Sequence, residues 1–110
     1  MSDEPVPGWS FLTNHAQVLV CIAGDPGIRL RDIGDRVGIT ERAAHRIVGQ
    51  LTDAGYITRR RNGRRNQYAV NPDVTLHDPI AHERSVGELV EVLTGGRPVP
   101  GPGVPARADG

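Results

Sequence analysis

Leu30-Arg31-Asp32-Ile33-Gly34-Asp35-Arg36-Val37-Gly38-Ile39-Thr40 is the stretch on which the reading of the whole chain turns. Leu30, Ile33 and Val37 recur at i, i+3 and i+7, so a short helix from about Arg31 to Val37 has one apolar face. Gly38 suits the position just past a helix end, and Ile39 supplies an apolar anchor in the turn. Thr40 carries a hydroxyl that can cap the next helix by accepting from one of its free N–H groups. That helix runs to about Ala54, with Gly55 beyond its end, and its inward stripe is Ala44, Ile47, Val48 and Leu51. The pattern is two helices joined by a tight turn.

Upstream, Thr13 or Asn14 can cap a first helix over Asn14 to Gly24, and Asn14 with Gln17 has capping-box spacing. Val18-Leu19-Val20-Cys21-Ile22-Ala23 is apolar all round, which marks a helix covered on most sides, and Gly24-Asp25-Pro26-Gly27 stops it. Ile28-Arg29-Leu30 reads as a short strand. Downstream of Gly55 the apolar period changes from 3.6 to 2. Tyr56–Arg61 and Arg65–Val70 flank Asn62-Gly63, a dipeptide that favours a two-residue hairpin turn. A final helix lies between Pro79 and Thr94, starting either at Asp78-Pro79 or at Ser85, which has Glu88 at capping-box spacing. Its apolar stripe is Val86, Leu89, Val90 and Leu93.

The expected class is α+β, mainly helical: a winged helix-turn-helix with a three-helix core, a two-stranded wing plus the short strand, and a C-terminal dimerisation helix. With 110 residues there is room for one such core. It is expected over 9–94, between a loose polar arm at 1–8 and a Pro/Gly-rich tail at 95–110 that cannot fold into a helix. Uninterrupted apolar runs are far too short for a membrane span, and the acidic start Met1-Ser2-Asp3-Glu4-Pro5 is unlike a secretory leader. A single cysteine, Cys21, allows neither an internal disulfide nor a thiolate metal cluster. A cytoplasmic protein is the expectation.

Net charge is zero, yet the charge is unevenly placed. Between Thr40 and Tyr68 there are seven arginines against Glu41 and Asp53, a local +5. A local field of this sign suits a phosphate-bearing partner whatever the total. On the third helix, Thr40, Glu41, Arg42, Ala43, His45, Arg46, Gly49 and Gln50 lie outside the apolar stripe. Ala43 and Gly49 are small enough for close approach to a groove. Arg42 and Arg46 sit one turn apart, where each can either grip guanine O6 and N7 bidentately or clamp a phosphate. His45 can donate to a base or phosphate; Glu41 can accept from cytosine N4 or complement the positive helix start. Gln50, near the far end, is better placed for backbone. Thr40 and the first N–H groups of the helix suit phosphate. In the hairpin, Arg59, Arg61, Arg64 and Arg65 surround Asn62 and Gly63, a tip fit for phosphate or for a narrow minor groove. The third helix is thus expected to read sequence and the wing chiefly to add affinity. An arginine-rich edge strand guarded only by its charge is the blander alternative.

The stretches Leu30–Thr40, Ala44–Leu51, Asp53-Ala54-Gly55-Tyr56-Ile57 and Gly63-Arg64-Arg65 resemble the MarR/ArsR-like group of small bacterial repressors. The resemblance implies a double-stranded DNA-binding regulator, most simply a repressor. A homodimer is expected from the residues too, because the first and last helices are apolar on more faces than one domain covers. Two-fold pairing would set the reading helices about 34–36 Å apart on an inverted repeat. Some ArsR-like proteins bind zinc at their C-terminal helices, but His77, Asp78, His82 and Glu83 do not match a ligand signature, and a helix-start and dimer-contact role suits them better. Cys21 reads as core, and Trp9 and Phe11 as packing on the first helix or on a partner subunit. No cofactor is expected, and an enzyme has no support: there is no phosphate loop and no nucleophile beside a base. The remaining alternative is a winged-helix protein-interaction module that does not bind DNA.

Overall fold

The computed structural model describes residues 9–96. The expected arm at 1–8, and all but the first two residues of the expected tail at 95–110, lie outside the described residues. Six elements follow in order: α1 Asn14–Gly24, α2 Leu30–Val37, α3 Glu41–Asp53, β1 Ile57–Asn62, β2 Arg65–Val70 and α4 Val86–Leu93.

Local chemistry fixes the helix ends. The Thr13 hydroxyl accepts from Ala16 N–H at 3.1 Å, and the Thr40 hydroxyl from Ala43 N–H at 3.0 Å. At α4 the Ser85 hydroxyl accepts from Glu88 N–H at 3.1 Å while the Glu88 carboxylate accepts from Ser85 N–H at 2.8 Å. The reciprocal pair is a full capping box, so the later of the two sequence-based starts is the one used. Each such cap is worth about 1 kcal/mol. The turn between α2 and α3 needs Gly34: a Cβ there would lie 2.7 Å from the Ile39 carbonyl oxygen. Only a hydrogen at that position lets the two helices close on each other.

Helix α2 packs on α3, and α1 lies against α2, α3, β2 and α4. Every element contributes to one core. Ile22, Ile33, Ile47, Ile57, Val18, Val86 and Val90 are its fully buried members. At about 1.5–3 kcal/mol per buried side chain of this size, these dominate the favourable side of folding. Among the described residues no polar or charged side chain is buried, so the core carries no desolvation penalty to offset.

Two details differ from expectation. Ile28–Leu30 is not a strand, and among the described residues the sheet has two strands. Ile28 N–H is already bonded to the Asp25 carbonyl at 3.0 Å, closing the turn, and Leu30 begins α2. The wing meets this turn through one backbone bond, from Tyr68 N–H to the Pro26 carbonyl at 3.1 Å. The hairpin also turns one residue later than Asn62-Gly63. Asn62 pairs with Arg65, so the loop is Gly63-Arg64. Asn62 at the first loop position would need positive φ, and among the described residues no non-glycine has it. Gly63, with φ +67°, takes the left-handed first position instead, as a type II′ turn requires. This register also sets Ile57 opposite Val70, joining two buried side chains at the base.

The chain from Asn71 to Ser85 crosses back with little regular structure. Thr75 and Ser85 form an isolated bridge, flanked by Val86 N–H to Val74 O at 2.8 Å and Leu76 N–H to Arg84 O at 2.9 Å. Among the described residues no helix is long and apolar enough to cross a membrane.

Candidate nucleic-acid interface

Helix α3 divides cleanly. Ala44, Ile47, Val48 and Leu51 are buried, while Glu41, Arg42, His45, Arg46, Gly49 and Gln50 are exposed and Ala43 is half-buried. A Cβ on Gly49 would meet nothing within 4 Å, so that face is bare backbone open to solvent. Four buried side chains fix the rotation of the helix, and the fixed rotation aims the arginines outward. The side chains of Arg42, His45 and Arg46 make no hydrogen bond or ion pair among the described residues. The positive charge of Arg42 and Arg46 is therefore not cancelled by an ion-paired carboxylate.

Gln50 is placed differently from its helix mates. Its Oε1 lies 2.6 Å from His15 Nε2 at the start of α1. The amide is engaged across the domain, and His15, which has no partner legible in sequence, gains one. Thr40 holds the helix start through its hydroxyl and remains exposed.

The wing's residues are brought to one projection but not to one face. The register puts Arg59 and Arg61 on the side of Ile57, Tyr68 and Val70, and Asn62 and Arg65 on the other, with Gly63 and Arg64 at the tip. All six are exposed. Arg61 leans on the tip, its Nε 3.5 Å from the Gly63 carbonyl. Arg65 reaches back, donating from Nη2 to the Gly27 carbonyl at 2.7 Å, so it ties the wing to the loop before α2. Arg64 has no such tie.

Two arginines escape the sequence reading. Arg29 and Arg31 line a cleft of about 350 Å³ together with Arg65, Asn66 and Glu41, between the starts of α2 and α3 and the wing. They precede the basic stretch that begins at Thr40. Their one signal is alternation with Ile28 and Leu30, which turns both of them outward.

Nothing else described gathers into chemistry. Among the described residues no three His, Cys, Asp or Glu side chains converge as a metal site would require. His77 stacks at 5.2 Å on Tyr56, whose hydroxyl accepts from His77 N–H at 2.6 Å. Asp78 Oδ1 accepts from Ile80 and Ala81 N–H at 2.8 and 2.9 Å, and these bonds hold its carboxyl below the ordinary range. Cys21 is buried in α1; burial pushes its thiol up, only partly countered by the Arg36 charge.

No curated protein sequence matches the chain significantly. Solved structures share the architecture at low identity. A predicted DNA-binding transcriptional regulator from E. coli superimposes with TM-score 0.53 at 17% identity, covering 74% of this chain and 75% of the other. A MarR family protein of Mycobacterium tuberculosis, solved in complex with salicylic acid, superimposes with TM-score 0.50 at 17% identity, covering 76% of this chain and 58% of that one. The sequence model of the MarR family matches residues 10–65, which take in α1, the helix-turn-helix and the wing as far as its second strand. The chain belongs to the MarR family of winged-helix transcriptional regulators.

Proposed function

We propose that the chain is a sequence-specific double-stranded DNA-binding regulator, a cytoplasmic homodimeric repressor that needs no cofactor and performs no catalysis. The observation that carries this reading is the outward face of α3, where Arg42, His45 and Arg46 stand exposed and unpaired beside the open backbone at Gly49. A helix bound this way enters the major groove with Arg42 and Arg46 on base edges or flanking phosphates, each bidentate base contact discriminating by about 1–3 kcal/mol. Thr40, Glu41 and Ala43 meet the groove at the helix start, and Gln50, steadied by His15, meets the backbone at the far end. Arg59, Arg61, Asn62, Gly63, Arg64 and Arg65 carry the wing onto the adjacent backbone or minor groove.

Pairing of two copies is supported by apolar surface. Trp9 and Phe11 form an edge-to-face pair at 5.4 Å, yet are 66% and 90% exposed, and Val92 on α4 is 76% exposed. A two-fold axis through α1 and α4 covers this surface and presents two reading helices to an inverted repeat.

Selection of bound sites from a random duplex pool tests the reading. The wild type should enrich a palindromic site, and Arg42→Ala or Arg46→Ala should lose that preference while remaining folded. Absence of any shift on mixed duplex at low salt would overturn DNA binding and favour a protein-interaction module.

A further inference from the structure

Arg29 and Arg31, in the cleft between α2, α3 and the wing, have no part in the reading above. The cleft lining brings Arg29, Arg31 and Arg65 together with a single carboxylate, Glu41. None of the three arginines is in an ion pair among the described residues, so the cleft holds a surplus of two positive charges. Arg65 is held at its wall by the Gly27 carbonyl, at 2.7 Å. Asn66, the next residue of the wing, also lines the cleft. Helix α2 begins here, and its first N–H groups have no side-chain cap, in contrast to the hydroxyl-capped α1, α3 and α4. Like charges gathered without a counter-ion are stabilised by an anion, and the planar fork of a guanidinium can donate to two oxygens of a phosphate at once. The position decides which anion. Glu41 is the first residue of α3 and Arg65 and Asn66 belong to the wing, so the cleft opens between the two elements assigned to DNA.

We propose that this cleft receives a backbone phosphodiester of the bound duplex, with Arg29 and Arg31 as a phosphate clamp separate from the base-reading face of α3 and from the wing tip. The clamp rests on the DNA-binding reading and deepens it. It sets the angle at which α3 enters the groove, because the contact lies at the helix's N-terminal end while the wing bears on the backbone to its side. Being sequence-blind, it adds affinity equally to every duplex.

The test is the salt dependence of binding to a mixed-sequence duplex, read by fluorescence anisotropy, for the wild type, R29Q/R31Q and, as a wing control, R64Q. The fold of each is checked by circular dichroism. The double variant should bind all sequences about tenfold more weakly at moderate salt, with the slope of log K against log salt reduced by roughly 2. Wild-type binding and slope in R29Q/R31Q, with R64Q impaired, would overturn the clamp and leave the DNA reading standing. No duplex binding by the wild type would overturn both. A second arm adds inorganic phosphate at constant ionic strength and follows backbone amide shifts. Saturable shifts confined to residues 27–31, in a protein whose R29Q/R31Q variant binds duplex normally, would assign the cleft to a free anion instead. Addition of phosphate with no such shifts, together with a reduced slope in the variant, supports the duplex backbone as the occupant.

Discussion

Helix α3 and the β1–β2 hairpin both turn arginines to solvent, but they are held in opposite ways. The helix is anchored along its length, with buried residues from Ala44 to Leu51 spaced over two turns. The hairpin buries side chains only at its base, Ile57, Tyr68 and Val70, and every residue from Thr58 to Asn66 is exposed, with the Arg65–Gly27 bond as a single exposed tie further out. An element clamped along one face presents its other face at a fixed angle, which base reading demands, since donors and acceptors must align within a few tenths of an ångström. An element clamped at one end can follow a flexible backbone but cannot impose a register. On the proposed function, anchoring more than charge would separate the element that reads from the one that grips.

The comparison breaks most visibly if the anchor of α3 is removed. Ile47 is 2% exposed, and Ile47→Ala should lower the free energy of unfolding by about 2–5 kcal/mol, measured by urea denaturation. An equally buried position is not available beyond the hairpin base, so no single truncation between Thr58 and Asn66 should approach that loss. If one did, the hairpin would be packed against something absent from this arrangement.

Gly34→Ala comes next. Its added methyl would sit 2.7 Å from the Ile39 carbonyl oxygen and 3.3 Å from the Thr40 backbone, so α2 and α3 must separate. A cost of about 1–3 kcal/mol is expected, and it should fall on binding as well, because the turn sets the entry angle of α3. Gly63→Ala tests the hairpin's own geometry. There is open space around Gly63, and the cost is purely that of holding alanine at φ +67°, about 1 kcal/mol or slightly more. Thermal melts of the two variants should therefore rank Gly34→Ala below Gly63→Ala.

The helices were legible in the sequence because their signals are local. Thr40 before an apolar 3.6 repeat, and Ser85 three residues before Glu88, are short-range patterns, and both act as caps in the structure. The buried stripe of α3 followed from spacing alone. What the sequence did not disclose depends on distant partners. The absent third strand turns on Ile28 N–H choosing the Asp25 carbonyl over a strand neighbour. The hairpin tip moved by one residue because pairing Ile57 with Val70 in the core outweighs a turn preference at Asn62. Among candidate site residues, the His15–Gln50 contact and the Arg65–Gly27 bond link positions 35 and 38 apart in the chain, and no periodicity reports such pairs. Arg29 and Arg31 were missed for the related reason that the cleft exists only once three elements have met.

The smallest expected change in stability separates two adjacent arginines and bears most directly on how the wing works. Arg64 sits in the loop with no partner among the described residues, whereas Arg65 is bound to the Gly27 carbonyl at 2.7 Å. Arg64→Ala should leave the unfolding free energy unchanged within about 0.5 kcal/mol, as exposed substitutions do. Arg65→Ala should cost up to about 1 kcal/mol, since an exposed hydrogen bond from a charged donor is lost. On DNA both variants lose a charge. Arg64→Ala removes a free charge at the tip and should lower the salt slope by about one unit with no change in site preference. Arg65→Ala releases the tie from the loop end of the wing to Gly27 as well as a charge, so its effect on affinity should include a loss of definition in the complex, visible as a lower anisotropy plateau for labelled wing residues. Equal plateaus and equal melts for the two variants would mean that the Gly27 tie does not hold in solution, and the hairpin would then be held by its buried base alone.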